Sequence, residues 1–215
     1  MRRPEFIARQ SSCPTGFLGR LIGHIMERET AAVNDAALTL LDLEAHDRVL
    51  EVGFGHGRTI ERAAALIEHG VAAGVDCSHE MTRMAVRRCR RLIDTGRVRL
   101  ARADGRHLPY RDQAFGKAYT IHTIYFWSDP EQHLRELCRV LRAGGRLVLG
   151  FRPGGNRGAE DFPASVYSFH TSDRSARCWC TRVSMSTRPR SPSARCCWSP
   201  RGGARACDPS VRDAT

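Results

Sequence analysis

The stretch that decides the fold is Val49-Leu-Glu-Val-Gly-Phe-Gly-His-Gly57. A short apolar run carries an acidic residue, Glu51, near its end, and glycines follow at alternate positions, Gly53, Gly55 and Gly57, directly before a helical pattern. Glycines allow tight turns and let a ligand approach the main chain closely, and a helix N-terminus offers free N–H groups. The stretch predicts a ligand-binding strand-to-helix turn, although a glycine-rich turn that binds nothing remains the alternative.

The glycine spacing differs from the dinucleotide fingerprint G-x-G-x-x-G. The third glycine, Gly57, comes one residue early, and Arg58 stands where a dinucleotide site has glycine. The spacing therefore argues against a nicotinamide dinucleotide as the ligand.

Apolar strand patterns and helical patterns alternate along most of the chain. Strands are predicted at 48–52, 71–76, 98–101, 118–123 and 146–151, and helices at 17–41, 59–69 (ending at Gly70), 78–93 and 130–141. Strands that alternate with helices of about 10–15 residues indicate βαβ units. The predicted fold is α/β, a Rossmann-like doubly wound and mostly parallel sheet with helices on both faces.

Two acidic residues follow the second and third predicted strands. Asp76 ends the second strand, 19 residues after Gly57, where a carboxylate can accept hydrogen bonds from both hydroxyls of a ribose. Asp104 lies in Ala103-Asp-Gly-Arg-His-Leu-Pro109, directly after the third strand. Both segments also have a structural interpretation, because Ser78 can cap the next helix and the second segment can be a surface turn.

In this order and spacing, the segments resemble class I S-adenosylmethionine (SAM)-dependent methyltransferases of the UbiE-like, or methyltransferase type 11, group. The glycine turn resembles motif I, Gly74-Val-Asp-Cys-Ser-His-Glu-Met81 resembles G-V-D-x-S-x-x-M, and Arg142-Ala-Gly-Gly145 resembles the turn into the fifth strand. The resemblance covers about residues 45–152, with departures at Phe115-Gly116, where the family has Phe-Asp, and at Phe54. It implies that SAM is the cofactor, that Asp76 binds its ribose and that Asp104 binds its adenine amino group. The implied cofactor-binding set is Glu51, Gly53, Gly55, Gly57, Asp76, Cys77, Met81, Asp104 and Gly105.

The resemblance also implies that the fourth strand and its exit face the transferring methyl. His122 is the candidate catalytic base there, because histidine changes charge near neutral pH; a packed or ligand-contacting histidine is the alternative. Tyr125 and Trp127 are the candidate substrate-pocket residues. The segment lacks the [Asp/Asn]-Pro-Pro-[Tyr/Phe] pattern, so nothing in it indicates methylation of nucleic-acid amino groups.

The predicted function is SAM-dependent methyl transfer to an O, N or C atom of a small-molecule acceptor. A SAM-binding remnant without turnover is one alternative, and a nucleic-acid-binding protein is another, since the net charge is +11. Aromatic residues do not interleave with the basic ones as in single-strand readers, so no nucleic-acid partner is expected. No apolar run reaches the roughly 18 residues of a membrane helix, and the nine cysteines lack metal-ligand spacing. We therefore expect a cytoplasmic protein without a membrane span or a metal.

Three parts of the chain are predicted: an N-terminal helical segment at 1–44, a SAM-binding methyltransferase domain at 45–172, and a disordered tail at 173–215. The N-terminal helices either cover the substrate site, as the resemblance implies, or pack as ordinary core. The tail holds nine Arg, seven Ser, five Cys and four Pro, which is expected when GC-rich DNA is read out of frame; a genuine Arg-rich tail is the alternative. A frameshift predicts that the family's C-terminal strands are missing and that the fifth strand is an uncovered sheet edge.

Overall fold

Six strands form one sheet in the order β3-β2-β1-β4-β5-β6. The structure, a computed structural model, describes residues 5–151, 162–163, 165–168 and 194–198. Strands β1 to β5 are parallel, and β6 is antiparallel to β5. Because β2 and β3 lie on one side of β1 and β4 on the other, the carboxyl ends of β1 and β4 border a crevice, the usual ligand site of a doubly wound sheet. The strands are β1 (Arg48–Val52), β2 (Val71–Asp76), β3 (Val98–Arg102), β4 (Phe115–Ile121), β5 (Leu141–Phe151) and β6 (Ala194–Trp198).

Helices cover both faces of this sheet, as the alternating pattern predicts. They are α1 (Glu5–Ser12), α2 (Gly16–Leu41), α3 (Arg58–Leu66), α4 (His79–Arg88), α5 (Arg90–Asp94) and α6 (Pro130–Val140), with a 3-10 turn at Ile124–Phe126. Apolar side chains of α2 and α3 form one buried cluster with β1, β2 and β4, and α6 forms a second cluster with the opposite face. The predicted Rossmann-like α/β fold is confirmed. None of the helices described here is long and apolar enough to cross a membrane.

Two helix boundaries differ from the sequence prediction. Helix α3 ends four residues before Gly70, and Gly70 lies against the main chain of Asp47 with no room for a side chain, so this glycine permits a close backbone approach. The predicted helix at 78–93 is divided at Cys89 into α4 and α5. The Cys89 thiol is fully buried and donates to the carbonyl oxygen of Gly57 at 3.7 Å.

Strand β4 begins at Phe115, three residues before its predicted start, and includes a buried lysine. Lys117 is 8% exposed, its ammonium lies 2.6 Å from the Asp47 carboxylate, and it donates to the carbonyl oxygen of Asp42. A buried charge is stable only with such partners. The pairing joins the end of α2 and the start of β1 to β4, and local sequence does not reveal it.

Strand β6 corrects the prediction of an uncovered sheet edge. Ala194–Trp198 belongs to the segment predicted to be disordered, and it pairs with Leu147–Phe151 of β5. Along these residues the edge of β5 is covered, whereas disorder of the segment 173–215 stays a prediction. The physical reason is that the free N–H and C=O groups of an edge strand can pair with any extended segment that reaches them. The rest of the predicted tail at 173–215 lies outside the described residues.

Candidate functional site

A cavity of about 370 Å³ lies at the carboxyl ends of β1, β2 and β4, where the topology predicts a ligand. Its size falls within the usual range of small-molecule sites. Most of the residues singled out in the sequence line it together; these are Glu51, Gly53, Gly55, Asp76, Cys77, Met81, Asp104, Gly105, His122 and Trp127. Gly57 and Tyr125 are absent from this lining.

Glu51 is buried near the end of β1 and is 4% exposed. The Tyr119 hydroxyl, from the neighbouring strand β4, donates to Glu51 Oε2 at 2.8 Å. Burial raises the pKa of Glu51 to about 8; the Tyr119 hydrogen bond opposes this rise, and the nearby charge of Asp76 adds to it. Near neutral pH most of this carboxyl group is therefore protonated, and a positive charge or further donors beside it would favour its ionised form.

Asp76, the last residue of β2, connects the two turns that border the cavity. Its Oδ2 accepts the N–H of Gly55 and its Oδ1 accepts the N–H of Ser78, both at 2.8 Å. Burial raises the pKa of Asp76, and these two hydrogen bonds oppose the rise. Each carboxylate oxygen retains acceptor capacity, so a hydroxyl of a ligand in the cavity could still donate to it.

The glycine turn brings main chain to the cavity because side chains are excluded from it. Gly53 has a φ of 82°, and a methyl group there would overlap the Cγ2 atom of Thr123. Gly55 has a φ of 55° with open space beside it. Gly57 lies behind the turn, where a Cβ would come within 2.8 Å of the Ala85 Cβ in α4. The third glycine thus permits close packing of α4 against the turn.

A second wall is formed after β3 and before α6. Asp104 accepts hydrogen bonds of 2.6–3.2 Å from the Arg106 side chain and one of 2.9 Å from its main-chain N–H, and these hydrogen bonds lower the pKa of Asp104 to about 2. Trp127 stacks on His133 with 4.5 Å between ring centroids. His133 in turn packs against Gly105. Trp127 therefore lies on the side of the cavity predicted for adenine.

His122 follows β4 directly and has a positive φ of 58°, a conformation that costs a non-glycine residue of order 1–3 kcal/mol. Its main-chain N–H donates to the Gly150 carbonyl at 2.7 Å, and its Nδ1 lies 3.0 Å from the Tyr125 hydroxyl oxygen. Tyr125 is buried behind His122. Of His122 and Tyr125, only His122 lines the cavity.

Sequence patterns missed the wall contributed by the N-terminal helices. The connection between α1 and α2 lines the cavity at 11–14, and α2 contributes Gly23, Thr30 and Asn34. The end of the same helix packs into the core through Ala37, Leu38 and Leu41. Helix α2 therefore lines the cavity and packs into the core, and its hydrophobic periodicity signals only the core packing.

The cavity suits a ligand with a positive charge and ribose hydroxyls. Among the described residues that line the cavity, Arg106 is the one arginine or lysine, and its guanidinium is engaged by Asp104, away from the two buried carboxyl groups of Glu51 and Asp76. SAM carries a sulfonium, an ammonium and a ribose. The two acidic acceptors and the side-chain-free turn at Gly53 and Gly55 therefore fit SAM.

Comparison with known proteins finds a domain family that matches part of this chain. The methyltransferase domain family (Methyltransf_11) matches residues 50–149. The chain is 32% identical over 125 residues to 27-O-demethylrifamycin SV methyltransferase of Amycolatopsis mediterranei, covering 58% of this chain and 46% of that relative. The chain thus spans about half the length of this relative.

Solved structures share the fold at lower sequence identity. Geranyl diphosphate C-methyltransferase from Streptomyces coelicolor, in complex with Mg²⁺, geranyl diphosphate and S-adenosyl-L-homocysteine, has a TM-score of 0.61 and 19% identity over 74% of this chain and 63% of that chain. The [4+2]-cyclase SpnF has a TM-score of 0.61 and 23% identity over 72% of this chain and 58% of that chain. Residues 50–149 of this chain therefore match the Methyltransf_11 methyltransferase domain, on the fold of the class I SAM-dependent methyltransferases, and SAM is the cofactor.

Proposed function

We propose that this chain binds SAM in the cavity at the carboxyl ends of β1, β2 and β4 and transfers its methyl group to a small-molecule acceptor. The observation that carries the proposal is the pair of buried carboxyl groups, Glu51 and Asp76, beside a turn without side chains. The binding set we propose is Glu51, Gly53, Gly55, Asp76, Cys77, Met81, Asp104 and Gly105. Gly57 supports the turn from behind.

The three acidic residues of this set each have a defined task in the proposal. Glu51 offsets the positive charge of the cofactor, Asp76 accepts from the ribose hydroxyls, and Asp104 accepts from the adenine amino group. When bound, SAM supplies a methyl group that its sulfonium has already activated. The protein must align donor and acceptor and exclude water, so an acid or base is required only when the acceptor carries a proton.

His122 is the residue we propose as proton acceptor for such a substrate. It faces the cavity, and its Nδ1 is within hydrogen-bond distance of the Tyr125 hydroxyl. If Nδ1 donates its proton to Tyr125, the neutral ring keeps its lone pair on Nε2, which can then accept a proton. Tyr125 would hold the ring from behind, and Trp127 would close the cavity.

The acceptor class rests on the relatives. The names of two of them specify transfer to an oxygen atom, as in the O-methyltransferase of Pyrenophora dematioidea, and one similar structure is a C-methyltransferase. We propose an acceptor that is a small molecule, methylated on O, N or C, and activity in the cytoplasm. SpnF, a protein of similar structure, is named a cyclase. Methyl transfer by this chain must therefore be measured in a turnover assay.

Calorimetric titration with SAM and with its demethylated product tests the cofactor. We expect saturable binding of both and no measurable binding of NAD; tighter binding of NAD than of SAM would refute the proposal. Methyl transfer is then followed by mass spectrometry of small-molecule extracts incubated with isotopically labelled SAM. Once an acceptor is found, His122→Ala should lower turnover and leave SAM affinity within a few fold, whereas binding without any methylated product would favour the inactive remnant.

A further inference from the structure

Two thiols from distant parts of the chain meet at the edge of the SAM cavity. Cys13 lies in the connection between α1 and α2, and Cys77 follows Asp76 at the end of β2; both line the cavity and neither is in a disulfide. The Cys77 thiol donates to the carbonyl oxygen of Ser12 at 3.8 Å, and the next residue, Ser78, donates through its hydroxyl to the carbonyl oxygen of Pro14. The residues on either side of Cys13 thus contact Cys77 and its neighbour, and this places the two cysteines side by side.

Two hydrogen bonds join the α1–α2 connection to the loop after β2. The Ser78 hydroxyl donates to the carbonyl oxygen of Pro14, and the Cys77 thiol donates to the carbonyl oxygen of Ser12. A hydrogen bond of this kind contributes about 0.5–1.5 kcal/mol net. Separation of the connection, residues 11–14, from this loop would open the cavity on the side of Asp76.

We propose that Cys13 and Cys77 form a disulfide when a peroxide oxidises the protein, and that this bond fixes the α1–α2 connection over the cavity. A covalent link would remove the freedom of the connection to move aside, so it would slow the entry and exit of a ligand. The proposal rests on the proposed function in one respect, since SAM is the ligand whose entry is measured.

The chemistry requires one peroxide molecule for each bond. Burial above all, together with the neighbouring Cys13 thiol and the charge of Asp76, raises the pKa of the Cys77 thiol, which disfavours its thiolate, the reactive form. In the proposal, Cys13 is therefore the residue that reacts with peroxide. The Cys13 thiolate takes one oxygen from hydrogen peroxide and becomes a sulfenic acid, with release of hydroxide. The Cys77 sulfur then attacks the Cys13 sulfur, and the hydroxyl group leaves as water with the thiol proton.

Other cysteines of the domain offer a matched comparison. Cys89 is fully buried and its thiol contacts the carbonyl oxygen of Gly57. Cys138 is half-buried in α6, packs against the core and does not line the cavity. Cys138→Ser is therefore the control for Cys13→Ser.

The test compares the full chain before and after treatment with hydrogen peroxide. Tryptic mapping without reduction should find peptide 10–20 linked to peptide 63–83, and the link should disappear after treatment with dithiothreitol. Stopped-flow mixing with SAM should show an association rate at least tenfold lower in the oxidised protein, restored by dithiothreitol. Cys138→Ser should behave as the parent, and Cys13→Ser should keep its association rate after peroxide.

Three results would overturn the proposal: no linked peptide, a linked peptide with an unchanged association rate, or an equal loss of rate in Cys13→Ser. The failure of the proposed function has a different signature, because the reduced protein would then not bind SAM at all. In that case, the peptide map alone decides whether the thiol pair is oxidised.

Discussion

The Tyr119 hydroxyl donates a 2.8 Å hydrogen bond to Glu51 Oε2 across strands β4 and β1. Both side chains are almost fully buried, and a single hydrogen bond from a neutral group does not offset the cost of burying a carboxylate. Burial accordingly raises the pKa of Glu51 to about 8. The buried Glu51 carboxyl group can thus attract a bound cation, but its burial lowers the stability of the free protein at alkaline pH.

Glu51→Gln should stabilise the free protein at alkaline pH. The folded-state pKa of Glu51 lies above its ordinary value, so its stabilising contribution is complete below about pH 4.5 and is lost as the pH rises through about 8. The variant removes this loss, because glutamine does not ionise. We expect the two proteins to unfold at similar temperatures near pH 4.5 and to diverge by several degrees at pH 9, on the order of a few kcal/mol, as measured by calorimetry. Equal melting temperatures of the two proteins at both pH values would show that the pKa of Glu51 is not raised in the folded protein.

SAM binding should be coupled to release of a proton from Glu51. A cation beside this carboxyl group favours its ionised form, and most of the free protein carries the proton below pH 8. Affinity should therefore rise between pH 6 and 7.5, by at most about tenfold per pH unit. Titrations in two buffers of different ionisation enthalpy will count the protons released. Glu51→Gln should bind weakly with no proton release, and proton release that persisted in this variant would assign it to another group.

Asp76→Ala should weaken SAM binding by about ten- to a hundredfold, because charge-assisted hydrogen bonds contribute roughly 1.5–3 kcal/mol. The variant also releases the N–H groups of Gly55 and Ser78, so its melting temperature must be measured with its affinity. Asp104→Ala is the matched control, since its carboxylate is half-exposed and held by Arg106. We expect a smaller loss there, and an Asp76→Ala protein that binds SAM like its parent would disprove the ribose assignment.

The sequence predicted the parallel α/β sheet and most of the residues that line the cavity, because both depend on local signals. Strand-to-helix turns carry their own glycines and acidic residues, and parallel strands bring these turns to one edge. The contacts that escaped prediction are long-range ones. Lys117 pairs with Asp47 across the sheet, and Ser78 donates to Pro14; neither pairing leaves a periodic trace. The packing of Gly57 also escaped prediction, because the residue that it contacts, Ala85, lies in another helix.

Gly53→Ala should abolish SAM binding, and a second substitution should partly restore it. The added methyl overlaps Thr123 Cγ2, and the φ of 82° is unfavourable for alanine. Thr123→Ser removes that methyl group and keeps the hydroxyl. We expect the double variant to recover part of the lost affinity and melting temperature in titration and thermal unfolding. Gly55→Ala has the conformational cost without the overlap, so Thr123→Ser should not improve it; rescue of both glycine variants would show that steric overlap is not the cause.

The composition of residues 173–215 leads to a prediction about the coding DNA. The helical period ends near residue 172, and nine Arg and five Cys follow, as expected for a shifted reading frame. We expect re-sequencing to reveal one or two missing or additional bases near codon 173, and the restored frame to encode a helix followed by two strands. In the present chain, only β6 covers β5 along Leu147–Phe151, among the residues that the structure describes. The restored protein should therefore aggregate less and melt at a higher temperature, because a complete sheet buries more of that edge. An unshifted frame in independently isolated DNA would contradict this account and leave the Arg-rich tail as a genuine part of the protein.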